Sequence, residues 1–162
     1  MYSVCLRYSR NRDEAEDLMQ DGFIRVFEHI NDFRKEGSLV GWIKRIMINN
    51  AVNHYKKINR IPIHENIGEI NETEIIGTEQ VSESDSVAPE LLMELIKSLP
   101  EGYGMVFNLY VFEGYSHKEI SEWLSISEST SKTQLLKARK WLQKKIGDPQ
   151  FEKKRKNYNE KH

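Results

Sequence analysis

Apolar residues recur along the first third of the chain with the period of a helix. After a polar cluster from Asn11 to Asp13 they fall at Ala15, Leu18, Met19, Gly22, Phe23, Val26, Phe27 and Ile30, a 3.6-residue repeat held over about four turns. Glu16, Asp17, Gln20, Asp21, Arg25 and Glu28 occupy the other face. A polar loop, Asn31 to Ser38, leads into a second helix predicted from Leu39 to about Ile58. There Leu39, Ile43, Ile46, Met47, Ala51 and Tyr55 can face a core, while Trp42, Arg45, Asn49, Asn53, Lys56 and Arg60 line up at spacings of three and four on another face.

From Ile61 to Val87 the periodicity stops. Asn, Glu, Ser, Thr and Gly are mixed there without a sustained helical or alternating pattern, so the segment buries too little apolar surface to fold alone and reads as a flexible linker. Its 27 residues would have a root-mean-square span of roughly 30 Å and could stretch to nearly three times that.

Order returns in a stretch from Tyr115 to Leu142 that reads as a helix-turn-helix. Ser116 followed by Glu119 has the capping-box spacing, in which each side chain satisfies an unpaired N–H at a helix start. Ile120, Trp123 and Leu124 form an apolar stripe, Ser125 and Ile126 a turn, and Ser127 a cap for a second helix running to Leu142. That helix has few residues to bury, with Leu135, Leu136, Ala138 and Leu142 as candidates. Its early turns carry Glu128, Ser129, Thr130, Lys132, Thr133 and Gln134, the hydroxyl, amine and amide groups that reach phosphates and base edges from a recognition helix.

Composition bounds the function. The chain has 162 residues, 30% charged and 10% aromatic, enough for one ordinary domain or two small ones with packed cores. No run approaches the ~20 apolar residues that cross a bilayer and the N-terminus lacks a signal-peptide pattern, so a cytoplasmic location without membrane insertion is expected. Cys5 is the sole cysteine and the five histidines are scattered, so neither a metal site nor a cofactor is expected.

The net charge of −1 hides a segregated distribution. Arg34, Lys35, Lys44, Arg45, Lys56, Lys57 and Arg60 stand against the single acid Glu36, whereas no Lys or Arg occurs from Ile61 to Glu90, where acids accumulate. The chain turns basic again after Ser129. Two basic blocks joined by an acidic connector point to two DNA contacts on separate domains. The stripe around Trp42 combines an aromatic ring, amides and cations, which suits capture of unpaired bases as well as it suits a solvated face, although Trp42 alone reads better as core. The acidic face at Asp17 and Asp21 reads either as solvated surface or as a docking face for a basic partner. The run Lys153 to Lys156 after Gly147-Asp148-Pro149 reads as a disordered basic tail.

An enzyme is disfavoured, because no nucleophile–base pair, phosphate loop or metal cluster is evident, and His117 at a helix start is most simply solvated. A helix-turn-helix regulator that binds duplex DNA unaided would account for the C-terminal half but not for the N-terminal stripe.

Asp13-Glu14-Ala15-Glu16-Asp17-Leu18-Met19-Gln20-Asp21, followed by Phe23 and Phe27, resembles the core-binding helix of bacterial sigma factors. Gly41-Trp42-Ile43-Lys44-Arg45-Ile46 with Asn49 is similar to their promoter-melting helix. Leu99-Pro100, Tyr110, Glu113-Gly114-Tyr115-Ser116, Glu119-Ile120 and Lys137-Ala138-Arg139 resemble their C-terminal domain. Both blocks in order, joined by a short acidic linker, resemble the extracytoplasmic-function group of RNA polymerase sigma factors. The resemblance implies an all-α fold of two small helical domains. A region 2-like domain would span residues 1–60, an acidic linker 61–87, a region 4-like helix-turn-helix domain 88–147 and a basic tail 148–162.

By the same resemblance, Asp17, Gln20, Asp21, Phe23 and Phe27 would bind the beta-prime clamp helices of core RNA polymerase. Phe33, Lys35, Ser38, Trp42, Arg45, Asn49, Asn53, Lys56 and Lys57 would read and open the minus-ten element. Ser116, Glu128, Ser129, Thr130, Lys132, Thr133, Gln134, Lys137 and Arg139 would read the minus-thirty-five element. The beta flap and promoter DNA would be further partners, an anti-sigma factor is left open, and the linker would thread the RNA exit channel. Three departures stand out. The region before Tyr8 is shorter than usual in the family. Ser125 stands where glycine is general, which in a left-handed conformation costs about 1 kcal/mol. Gln134 stands where many relatives have Arg, which would alter phosphate attraction or base preference.

Overall fold

A computed structural model describes residues 1–35, 37–59 and 88–160. Among these residues every regular element is helical. The N-terminal unit comprises α1 (Tyr2–Tyr8), α2 (Arg12–Glu28), a 3-10 turn (Ile30–Asp32) and α3 (Leu39–Ile58). The C-terminal unit comprises α4 (Pro89–Lys97), α5 (Glu101–Phe107) running into a π turn (Asn108–Phe112), α6 (His117–Leu124), α7 (Glu128–Ile146) and α8 (Pro149–Asn159).

Local chemistry sets the helix starts. The Asn11 side chain accepts from Glu14 N–H at 2.8 Å, and the Glu14 carboxylate accepts from Arg10 N–H at 2.6 Å. Two otherwise orphaned donors at the head of α2 are thereby satisfied. Ser38 caps α3 by accepting from Gly41 N–H. Pro89 and Pro149 open α4 and α8, at positions where a missing N–H costs nothing.

The α2–α3 pair is the frame of the N-terminal unit. Ala15, Leu18, Gly22 and Val26 face Met47, Ile48, Ala51 and Val52, with Val4 and Cys5 of α1 completing the core. Asn50, buried, donates to Leu18 O at 3.0 Å and ties the two helices at mid-length. His54 Nε2 lies 2.9 Å from the Glu14 carboxylate at the next level.

Two expectations about this face need correction. Phe27 continues the apolar period of α2 yet is 75% exposed, and Leu39 at the start of α3 is also exposed, both at the loop end of the antiparallel pair, where neither joins the apolar cluster.

In the C-terminal unit, Leu95, Ile96, Leu99, Ala138 and Leu142 form a second apolar cluster, edged by Tyr103, Phe107, Trp141 and Phe151. The first cluster is not confined to the N-terminal unit. Met105, Val106, Leu109, Ile120, Leu124 and Leu135 belong to it, so the two units pack against each other across a shared apolar seam.

Residues 153–156, expected as a disordered tail, are instead part of α8. Asp148 caps this helix by accepting from Gln150 N–H, Phe151 packs on the second cluster, Lys154 pairs with Glu94, and Tyr158 donates to Glu90 at 3.0 Å. The acidic partners lie on α4, more than fifty residues away, so the charge run alone could not reveal them. The linker expected at 61–87 falls outside the described residues.

Candidate polymerase-docking and nucleic-acid interfaces

On α2 the charged face is solvent-facing as its pattern implies: Asp17, Gln20 and Asp21 are exposed, while Phe23 is half-buried against the core. Beside them Ile24, Phe27 and Ile30, at spacings of three, form an exposed apolar strip. Ile24 and the exposure of Ile30 were missed from sequence. Ile24 is one position off the core period and Ile30 falls on it, so only the i, i+3 relation to Phe27 marks a strip. Three large apolar side chains next to three exposed polar ones make a compact contact surface.

The loop after α2 and the first turns of α3 form a second site. The Phe33 and Trp42 rings lie 5.5 Å apart at 49°, and an open cleft of about 480 Å³ is lined by Asp32, Phe33, Arg34, Ser38, Gly41, Trp42 and Arg45. Trp42 is half-buried: it leans on the core and still offers ring surface to the cleft. Asp32, which no sequence pattern marks, joins the cleft together with Arg34 of the basic block. Lys35 has a φ of +59° and Gly37 a φ of +107°, so the loop carries left-handed backbone at two places. For Lys35 that conformation costs about 1 kcal/mol, the kind of strain that concentrates at binding sites. Down α3 from the cleft, Arg45, Asn49, Asn53, Lys56 and Lys57 are exposed, one continuous ridge of cations and amides. Arg60 lies outside the described residues. The Ser38 hydroxyl lines the cleft while serving the α3 cap.

The third site is the helix-turn-helix. Ser116 and Glu119 form the capping box at α6: Glu119 N–H donates to Ser116 Oγ at 3.3 Å and Ser116 N–H donates to Glu119 Oε2 at 2.8 Å. Hydrogen bonds from the Ser116 backbone and then its hydroxyl hold the Glu119 carboxyl below the usual carboxylate range. Ser125 in the turn has φ +57° and ψ +43°, the left-handed geometry expected for this glycine-like position. Ser127 caps α7 by accepting from Thr130 N–H at 3.0 Å, and its hydroxyl also lies within 2.9 Å of the Ser129 and 2.8 Å of the Thr130 hydroxyls.

Glu128, Ser129 and Lys132 are exposed at the head of α7, with Thr130, Thr133 and Arg139 half-exposed. The Lys137 ammonium lies over the Tyr103 ring at 5.8 Å, so α5 orients it. Gln134 departs from expectation. It is only 3% exposed, beside fully buried Ser131 and in line with Leu135 and Ala138 on the inward face, so it does not belong to the DNA-facing set.

His117 also differs from its expectation as a solvated helix-start residue. Its Nδ1 lies 2.9 Å from Ser131 Oγ, and its ring stacks on Tyr110 at 4.7 Å. Burial, then the Lys132 and Arg139 charges, push its pKa below the ordinary value. It therefore pins α6 to α7, a role that needed the tertiary partner Ser131 to become visible. Among the described residues no group of three His, Cys, Asp or Glu side chains is placed to hold a metal ion. No helix among them is long and apolar enough to cross a membrane.

These sites fall within two matched family models. Sigma-70 region 2 matches residues 1–61, carrying the α2 face and the α3 cleft, and Sigma-70 region 4 matches residues 90–142, carrying the helix-turn-helix. The ECF RNA polymerase sigma-E factor of Haemophilus influenzae is 28% identical over 144 residues, covering 84% of this chain and 76% of that protein. The ECF RNA polymerase sigma factor SigW of Bacillus subtilis is 29% identical over 158 residues, covering 91% and 83%. A solved structure of the sigma factor RpoE of Bartonella quintana, in complex with the anti-sigma factor NepR, shares the fold at a TM-score of 0.54 and 19% identity. It covers 88% of this chain and 87% of that one. With both models in order and together spanning well over half of its length, the chain belongs to the extracytoplasmic-function group of the sigma-70 family, sigma factors that direct core RNA polymerase to promoters.

Proposed function

We propose that the three sites divide the work of promoter recognition among them. The α2 surface made by Asp17, Gln20, Asp21, Phe23 and Phe27, widened by Ile24 and Ile30, docks on the beta-prime clamp helices of core polymerase. The Phe33–Trp42 cleft and the ridge of Lys35, Ser38, Arg45, Asn49, Asn53, Lys56 and Lys57 read and open the minus-ten element, a flipped base resting against the Trp42 ring. The head of α7, through Glu128, Ser129, Thr130, Lys132 and Thr133, reads the minus-thirty-five element in the major groove, with Ser116, Lys137 and Arg139 on flanking phosphates and the beta flap as the second polymerase contact. Residues 1–60 act as the region 2-like domain, 61–87 as the linker through the RNA exit channel, and 88–147 as the region 4-like domain.

The observation that carries this reading is the cleft itself. An aromatic pair opens onto solvent at the head of a ridge of exposed cations and amides, an arrangement for stacking a base while its backbone is held electrostatically. The chain works by binding and leaves the chemistry to polymerase, in the cytoplasm where core enzyme resides. Because the similar Bartonella sigma factor was solved with the anti-sigma factor NepR, a partner of that class is a further candidate for this chain.

Transcription in vitro with core polymerase, read by permanganate footprinting of the promoter, tests the proposal. Wild-type protein gives start-site transcripts and reactive thymines in the minus-ten element. Trp42→Ala loses melting while duplex binding by the holoenzyme falls much less; unchanged thymine reactivity in the variant refutes the role of the cleft. Binding of duplex DNA with no transcription on adding core would favour a helix-turn-helix regulator.

A further inference from the structure

We propose that Leu136 is a specificity-determining contact of this chain: it reads a thymine of the minus-thirty-five element through the C5-methyl group, and so commits the protein to a T·A pair at that step. The inference rests on the assignment of α7 to that element. The residue pattern makes Leu136 a candidate for the buried face of α7, yet it is half-exposed and joins neither apolar cluster among the described residues.

The helical period explains why. Ser131, Gln134, Leu135, Ala138 and Leu142 supply the buried side of α7, and at about 3.6 residues per turn Leu136 falls on the opposite side. Its neighbours there are Lys132 and Thr133, four and three positions before it, and Lys140, four positions after it. Lys132 and Lys140 are exposed and Thr133 is half-exposed, so the outward face is a polar stripe with an aliphatic side chain at its middle. Side chains on a helix lean towards its N-terminus, which carries the Leu136 methyls over the turn of Lys132 and Thr133, the turn assigned to the groove.

An exposed leucine by itself needs no partner; the chemistry around this one supplies it. Gln134, the amide that pairs well with adenine, is turned inward at 3% exposure and leaves the centre of the outward face without a hydrogen-bonding group. Leucine neither donates nor accepts. Among the major-groove edges of the four base pairs the one alkyl group is the thymine C5-methyl. Lys132 and Lys140, one turn to either side, reach phosphates, which fixes register and carries no sequence information. Discrimination at this step is therefore left to the leucine. A cytosine in the same place loses the methyl contact and turns its amino donor towards an alkyl chain that cannot accept it.

Removal of single methyl groups from the DNA tests this contact. Transcription by the full-length chain with core polymerase, on promoters randomised around the minus-thirty-five element, selects the preferred element. Each of its thymines is then replaced in turn by deoxyuridine, which lacks only the methyl. Competition binding by the wild-type holoenzyme is expected to weaken about fourfold at one thymine, the worth of one buried methyl-sized group. Leu136→Ala, which places a strong helix former in α7, is expected to keep its helix content and to lose the deoxyuridine penalty at that thymine alone. Leu136→Gln is expected to shift the base preferred there to adenine. A Leu136→Ala protein that keeps the wild-type penalty overturns the proposal. So does a preferred element that lacks thymine or is blind to deoxyuridine, and in that case the assignment of α7 to the element still stands. A wild-type holoenzyme that shows no sequence preference at the minus-thirty-five position, or gives no transcript, removes the assignment and the Leu136 contact with it.

Discussion

The imidazole of His117 and the hydroxyl of Ser131 lie 2.9 Å apart, joining the first turn of α6 to the buried face of α7. On the proposed reading α7 presents its head to DNA, and this contact to α6 would then govern the aim of the recognition helix. Burial and the neighbouring Lys132 and Arg139 charges favour the neutral ring. Folding thus depresses the His117 pKa, and the unfolded chain binds the proton more readily. The stability contributed by the neutral ring is complete above the ordinary histidine value of about 6.5 and declines as pH falls below it towards the folded value. Thermal melts from pH 7.5 to 5 should show this acid loss in wild type and a flatter profile in His117→Gln; identical profiles would remove the linkage.

The α2–α3 contact makes a second prediction. A Cβ at Gly22 would sit 2.2 Å from Met47 Sδ, and Met47 is fully buried. Helix propensity alone would make Gly22→Ala stabilising by about 1 kcal/mol, but overpacking a tight core costs about 1–3 kcal/mol. The variant should come out destabilised by about 1 kcal/mol in denaturant titration. In a Met47→Ala background the same change should stabilise, since the space is then free. A destabilisation of equal size in both backgrounds would place its cause elsewhere.

Ser125 adopts left-handed backbone at φ +57°. Relief of that strain is worth about 1 kcal/mol and is partly offset by the greater unfolded-state freedom of glycine. Ser125→Gly should therefore stabilise the protein by a few tenths of a kcal/mol to about 1 kcal/mol in thermal or denaturant unfolding. A destabilised variant would mean that the serine side chain contributes more to the turn than its backbone costs.

Phe27 offers a separation of stability from function. Its 75% exposure means that Phe27→Ser should change folding stability by no more than about 0.5 kcal/mol. The same variant, and Asp17→Lys beside it, should be retained markedly less by immobilised core polymerase than wild type. Equal retention of all three proteins would dismiss the α2 face as the docking surface.

Much of this architecture was legible in the residues. The 3.6 period of α2 and α3, the Ser116–Glu119 box, the Ser127 cap and the left-handed turn at Ser125 each depend on atoms within about four positions of one another, and local chemistry of that kind can be read along the chain. The cations and amides of the α3 ridge could be placed for the same reason. The period of α7, by contrast, was ambiguous at Gln134, because an amide suits a groove and a buried helix face alike.

The sequence by itself determined helices α2, α3, α6 and α7, the caps and turn of the helix-turn-helix, the two charged blocks and the family, since all of these follow from spacing and residue type over short distances. Only the tertiary structure decided which faces those helices bury. It turned Gln134 inward beside Ser131, left Phe27 and Ile24 outside, folded the basic tail as α8 against Glu90 and Glu94, and brought Arg7 to Glu113 across 106 positions. Each of these depends on a partner remote along the chain, whose approach is set by the packing of whole helices and by the loss of water between them, quantities that no local pattern encodes.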